Sequence, residues 1–110
     1  MGRVVLTPKK MIRKDIYRNI LYRLFLKGNL SNVNFYDLLD KDSSNKSGLM
    51  AYYLKNLKQF GLVKNLEDKR GVCANYVITR KGMRLLKIYD QEMIIEEAYK
   101  NLSVNMELKK

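Results

Sequence analysis

Apolar residues early in the chain recur at Ile12, Ile16, Ile20, Leu21, Leu24 and Phe25, the spacing of one helical face. Thr7-Pro8 supplies a start, with Thr7 as cap and Pro8 in the first turn, where its missing N–H costs nothing. Gly28 supplies a stop. The pattern predicts a helix over about residues 8–27, its outer face carrying Lys9, Lys10, Arg13, Lys14, Arg18 and Arg23. The polar stretch 29–34 leaves room for a stub of strand around Leu30. Asn34 is then a cap for a short second helix over 35–40, with Asp37 in its first turn. Residues 41–47 read as a polar turn in which Ser44 or Asn45 caps a third helix. Met50, Leu54 and Leu57 share one face of that helix, with Tyr53 beside them. Gly61 ends it, and Leu62 folds back in a Schellman-type contact.

Past Gly61 the period changes from helical to alternating. Val72, Ala74, Tyr76 and Ile78 alternate with Cys73, Asn75, Val77 and Thr79. A first strand over Leu62 to Leu66 alternates less cleanly, and the charged turn Glu67-Asp68-Lys69-Arg70-Gly71 joins the two. Thr79 caps a fourth helix containing Leu85, Leu86, Tyr89, Ile94, Ile95, Ala98, Tyr99 and Leu102. It reaches Leu108 or frays after Asn101. Ile88, Ile95 and Leu102 follow at seven-residue spacing, with Tyr99 and Met106 alongside. Such a stripe serves either a monomer's own core or a seam against a second copy. The helix outruns any body this chain can build, which favours the second copy and a homodimer. The predicted class is α+β and mostly helical, with a core over residues 1–79 and a dimerisation helix over 80–110.

Composition narrows the function. The 110 residues suit one domain, and 46% hydrophobic content is enough for a real core. The 22 Lys and Arg against 11 Asp and Glu leave a net charge of +11, which points to a polyanion, nucleic acid before membrane. The excess is uneven. Residues 1–30 carry eight basic groups and one acid, residues 31–60 four and three, residues 61–81 five and two, and residues 82–110 five of each. The N-terminus and the hairpin therefore hold most of the positive charge.

Several chemistries are excluded. The chain has no His, which removes His-based triads, His acid–base catalysis and His-containing zinc sites. A single Cys, Cys73, makes neither a disulfide framework nor a Cys-rich metal site, and fits a reducing compartment. No Gly-rich phosphate loop appears. Glu92, Glu96 and Glu97 have the spacing of a solvated or inter-chain helix edge. No enzyme activity and no cofactor are expected. No apolar run approaches the ~20 residues that cross a bilayer. Residues 1–8 are too short and too soon followed by charge for a signal peptide, so an intracellular location is expected.

The order of helix, stub strand, short helix, turn, helix, hairpin and long helix carries two further marks, "YYLKNLKQFGLVKN" (52–65) and "YVITRKGMRLL" (76–86). Leu54, Leu57, Gly61-Leu62-Val63, the turn 67–71, Thr79 and Gly82 fall in one ordered set over about residues 12–90. This set resembles the winged helix-turn-helix superfamily. It looks most like small archaeal or archaeal-virus winged-helix proteins and the MarR, ArsR and PadR-like repressors. The long last helix is similar to the dimerising helix of archaeal winged-helix chromatin proteins. The resemblance implies a two-stranded wing, double-stranded DNA as partner, and the third helix (45–60) in the major groove. Asn45, Lys46, Ser47, Ala51, Tyr52, Lys55 and Lys58 would then face DNA. Ser47 would meet a base edge, Ala51 or Tyr52 a thymine methyl, and Lys55 and Lys58 the phosphates. Asn45 reads either as a reader of adenine or as the helix cap, and the cap is the better account. Lys69 and Arg70 would sit on the wing against backbone or minor groove, with Glu67 and Asp68 offsetting part of their field. Arg13, Lys14 and Arg18 would flank the duplex or simply solvate the first helix. Ile88, Ile95, Tyr99 and Leu102 would join two protomers. The metal-sensing ArsR members need Cys or His ligands that are missing here.

Three functions remain in order: a dimeric transcriptional regulator, a chromatin-like architectural DNA-binding protein, and a winged-helix module for protein or RNA. The third helix carries no Arg, and no Gln before Gln59, which speaks for the second against the first.

Overall fold

The predicted first helix is two helices. Lys14 adopts extended backbone (φ −86°, ψ 128°) and separates α1 (Pro8–Arg13) from α2 (Asp15–Lys27). Nothing in the apolar period marks this break, because neither Gly nor Pro stands there. Arg18 stabilises it from a distance in sequence. Its guanidinium donates to the Ile12 and Arg13 carbonyls at 3.1 and 3.3 Å, and it pairs with the Asp15 carboxylate. Carbonyls left open at the end of α1 are thereby satisfied. The start is as expected: the Thr7 hydroxyl accepts from Lys10 N–H at 3.3 Å, with Pro8 in the first turn.

The computed structural model describes residues 6–66 and 75–108, with side chains through residue 102. After Gly28 come β1 (Asn29–Ser31), a 3₁₀ helix (Asn32–Leu38), α3 (Lys46–Gln59), β2 (Val63–Leu66), β3 (Asn75–Ile78) and α4 (Arg80–Leu108). The chain is α+β and mostly helical, with one small antiparallel sheet. The short second helix begins earlier than expected and is 3₁₀ in winding. Its cap position is Ser31, and Asn34 lies inside it, accepting from the Ser31 N–H and hydroxyl at 2.9 Å each. Arg23 of α2 forks onto the Asp37 carboxylate at 2.5 and 2.8 Å and reaches the Asn34 carbonyl at 2.9 Å. That pairing holds the Asp37 carboxyl below the usual carboxylate range.

The stub strand expected around Leu30 joins the two later strands in one sheet, in the order β1-β3-β2. β3 takes the centre, pairing Leu30 with Tyr76 on one side and Asn65 with Tyr76 on the other. The stub strand thus closes an edge that a two-stranded hairpin would leave open. Asn75 Nδ2 donates to Asn29 Oδ1 at 2.7 Å across the β1–β3 pair.

The core gathers on α2. Ile20, Leu21 and Leu24 meet Phe35 of the 3₁₀ helix, Met50, Leu54 and Leu57 of α3, Leu62 and Val63 of β2, and Leu86 of α4, all buried. Met11 and Ile12 of α1 are buried with them, which the break at Lys14 makes possible. Tyr17 stacks edge-on against Tyr53, centroids 5.4 Å apart, and its hydroxyl accepts from Asn56 Nδ2 at 2.8 Å.

Two glycines fix the joint between α3, the sheet and α4. Gly61 has φ +73°, a left-handed conformation that L side chains disfavour. Leu62 N–H reaches back to the Leu57 carbonyl and Gly61 N–H to that of Lys58, both at 3.0 Å, completing the expected Schellman motif. A Cβ on Gly82 would stand 2.3 Å from the Leu62 carbonyl oxygen, so only glycine lets α4 start so close to β2. Thr79 caps α4 as expected, accepting from Gly82 N–H at 3.1 Å while its hydroxyl donates to the Gly61 carbonyl at 2.5 Å.

The 29 residues of α4 span about 43 Å at 1.5 Å each. The molecule measures 67 × 32 × 31 Å, so the helix outruns the body that supports it. Its first half packs on α1 and α2, and every residue from Met93 to Leu102 is exposed.

Candidate nucleic-acid interface

α3 presents two unlike faces because its apolar residues fall on one side only. Met50, Leu54 and Leu57 are fully buried, while Ser47, Ala51, Tyr52, Lys55 and Lys58 are exposed and Lys46 is half-buried. No carboxylate occurs between Lys46 and Gln59. The ion pairs among the described residues are Arg13–Glu92, Arg18–Asp15 and Arg23–Asp37, so Lys46, Lys55 and Lys58 are left to solvent or to a partner. Tyr52 is 58% exposed and leans against Tyr53, ring centroids 5.7 Å apart at 61°. The outer face is therefore a short cationic surface with one aromatic ring near its start.

Asn45 caps α3, its Oδ1 accepting from Gly48 N–H at 3.1 Å. A bidentate adenine contact would need that same oxygen. Ser44, Asn45, Gly48 and Tyr52 line a shallow hollow at this end of the helix, together with Asp42.

Arg13 and Lys14 are not grouped with the α3 face. They lie at the α1–α2 joint, which packs on α4, and Arg13 reaches Glu92 at 3.5 Å. Arg18 is likewise engaged, capping α1 and lying 4.8 Å from the Tyr89 ring centroid. The Tyr22 hydroxyl donates to the Asp90 carboxylate, and burial together with that bond pushes the Tyr22 phenol up to about 12. These contacts tie part of the basic first third of the chain to α4. Lys69, Arg70 and Cys73 lie outside the described residues.

The candidate dimer residues are on the surface: Ile88 is 46% exposed, Ile95 57%, Tyr99 70% and Leu102 58%. Ile94 at 68% and Met93 at 41% widen that surface beyond the seven-residue stripe.

No family model, no curated protein and no solved structure matches the chain.

A second basic group escaped the sequence reading. Arg80, Lys81, Arg84 and Lys87 open α4, and Asp90, Glu92, Glu96 and Glu97 follow on the same helix. Arg80 and Lys81 were counted with 61–81 and the charges of 82–110 sum to zero, which hid the segregation. A window of eight residues would have shown it. Among the described residues no group of His, Cys, Asp and Glu is placed to hold a metal, and no helix is long and apolar enough to cross a membrane.

Proposed function

We propose that this protein is a dimeric winged-helix DNA-binding protein and acts as a transcriptional regulator. In this reading α3 enters the major groove, the hairpin joining β2 and β3 is the wing, and α4 joins two protomers. The observation that carries it is α3 itself: a helix whose apolar side is wholly buried and whose other side exposes Ser47, Tyr52, Lys55 and Lys58 with no acid along its length. A helix fits the major groove by width, and a side free of carboxylate meets phosphate without repulsion. The net charge of +11 supplies the long-range attraction.

The absence of Arg from α3 favours a second reading, an architectural protein with little sequence preference. Mobility-shift titration at low salt decides between them. Lys55→Glu is expected to weaken binding by about tenfold or more, and Lys100→Glu by much less. A selected duplex preferred over a random one by 10³ or more supports the regulator, and a ratio near one the architectural role. No binding to duplex at low salt overturns both.

A further inference from the structure

A groove of about 700 Å³ runs between α2 and the anchored half of α4. Its floor is apolar: Tyr22 and Phe25 come from α2, Met83 and Leu86 from α4. Phe25 is 56% and Met83 38% exposed, so the chain leaves this floor open. Its rim is cationic. Arg80, Arg84 and Lys87 stand along α4 at i, i+4 and i+7, a row about 10 Å long at 1.5 Å per residue. None of the three is in an ion pair among the described residues. Asp90 is the one carboxylate among the groove's described lining residues, and the Tyr22 hydroxyl already donates to it.

Row and floor together choose the occupant. The unpaired bases call for anions, and the open floor calls for apolar side chains. Nucleic acid satisfies the row but sets phosphate over Phe25 and Met83. A small apolar acid satisfies one base and leaves the others, and a small ligand is held with most of its surface enclosed, which so open a floor does not provide. An amphipathic helix with acids beside its apolar row satisfies both. Its acids recur at the spacing of Arg80, Arg84 and Lys87, and α2 and α4 form the two walls of a third-helix seat. The groove is also separate from the self-pairing surface proposed above. Ile88, Ile95, Tyr99 and Leu102 do not line it, and Ile88 lines a hollow between α4 and α1, beside Pro8 and Ile12. We propose that the α2–α4 groove is a docking site for an acidic amphipathic helix of a second, different protein. Arg80, Arg84 and Lys87 then serve one partner, and Lys55 and Lys58 of α3 another.

Fluorescence anisotropy on the full chain tests it. The probe is a fluorescein-labelled, stapled helix of about 15 residues, long enough to hold helical form. It carries Leu at i, i+3 and i+7, with Glu along both edges of that row. One control replaces its Glu by Lys, and a second replaces its Leu by Ser. The parent chain is expected to bind the probe about tenfold or more tighter than either control. Arg84→Glu together with Lys87→Glu should weaken the probe by about tenfold or more and favour the Lys control instead. Both positions are exposed, so the fold is kept. Lys55→Glu should change the affinity for the probe by less than about threefold. No binding of the probe, equal binding of probe and controls, or no effect of the charge reversal overturns the proposal. So does a reversal that weakens duplex DNA as much as Lys55→Glu does, which assigns the row to nucleic acid. A reversal that raises the dimer dissociation constant in sedimentation assigns the groove to a second copy. Displacement of the probe by decanoate at concentrations matching the probe's dissociation constant assigns it to a small apolar acid. Either result overturns the docking of a different protein.

Discussion

The body of this protein and the free half of α4 are both regular structure, yet they are stable for different reasons. In the body, α2 is enclosed by the other helices and by the sheet, and ten large side chains are fully buried there. In the free half of α4, every residue from Met93 to Leu102 is exposed, including Ile94, Ile95, Tyr99 and Leu102. Hydrophobic burial of order 1.5–3 kcal/mol per large side chain holds the body without help. An uncovered helical stretch of this length has only backbone hydrogen bonds and propensity, which is marginal in water. The first region carries its own reason to fold, and the second is helical because it continues a helix anchored elsewhere. Its apolar surface is left uncovered by any other described element.

Each half of that contrast can be broken separately. The largest effect is expected at the centre of the body: Leu54→Ala should cost about 3 kcal/mol or more in urea unfolding, because the cavity opens between α3 and α2. Gly82→Ala comes next, at about 2 kcal/mol, since its methyl must push α4 off the Leu62 carbonyl. Tyr22→Phe should cost about 1 kcal/mol by removing the bond to Asp90 that ties α2 to α4. The same residue predicts a pH dependence. Its folded pKa is raised from the ordinary value of 10.0 to about 12, by burial first and the Asp90 bond second. The stability it contributes is complete below pH 10 and lost as pH rises through about 12, so the fall in stability across that window should be smaller in Tyr22→Phe. The smallest effect is expected beyond the body: Ile95→Ser should leave unfolding of the dilute monomer within about 0.5 kcal/mol. The same change should weaken self-association measured by sedimentation. A large loss of monomer stability from Ile95→Ser would show that the free half of α4 supports the body after all.

Much of the body could be read from the chain because its signals are local. Thr7-Pro8, Asn45, Gly61 and Thr79 each mark a helix end by chemistry within a few residues, and each sits at the helix end expected of it. The break at Lys14 could not be read that way. Its partners, Arg18 and Asp15, have the same spacing in an unbroken helix, and the gain comes from burying Met11 and Ile12 against elements far away in sequence. The partner of the stub strand was hidden for a related reason, since three residues around Leu30 do not say which later strand lies beside them. For the candidate interface, the exposed side of α3 followed from the period of Met50, Leu54 and Leu57. The pairing of Arg13 with Glu92 did not, because a charge pattern on one helix does not say which acid another helix brings near it.

By itself, then, the sequence determined the helix ends, the core stripe of α3, the overhang of α4 and the surplus of positive charge. Each of these is settled by residues close together in the chain, or by composition. Only the tertiary structure decided that the first helix is split, that β3 is flanked on both sides, that Arg13 faces Glu92, and that the bases opening α4 rim an apolar groove beside Phe25. Those features depend on which elements meet, and contact between distant elements is set by the packing of the whole core.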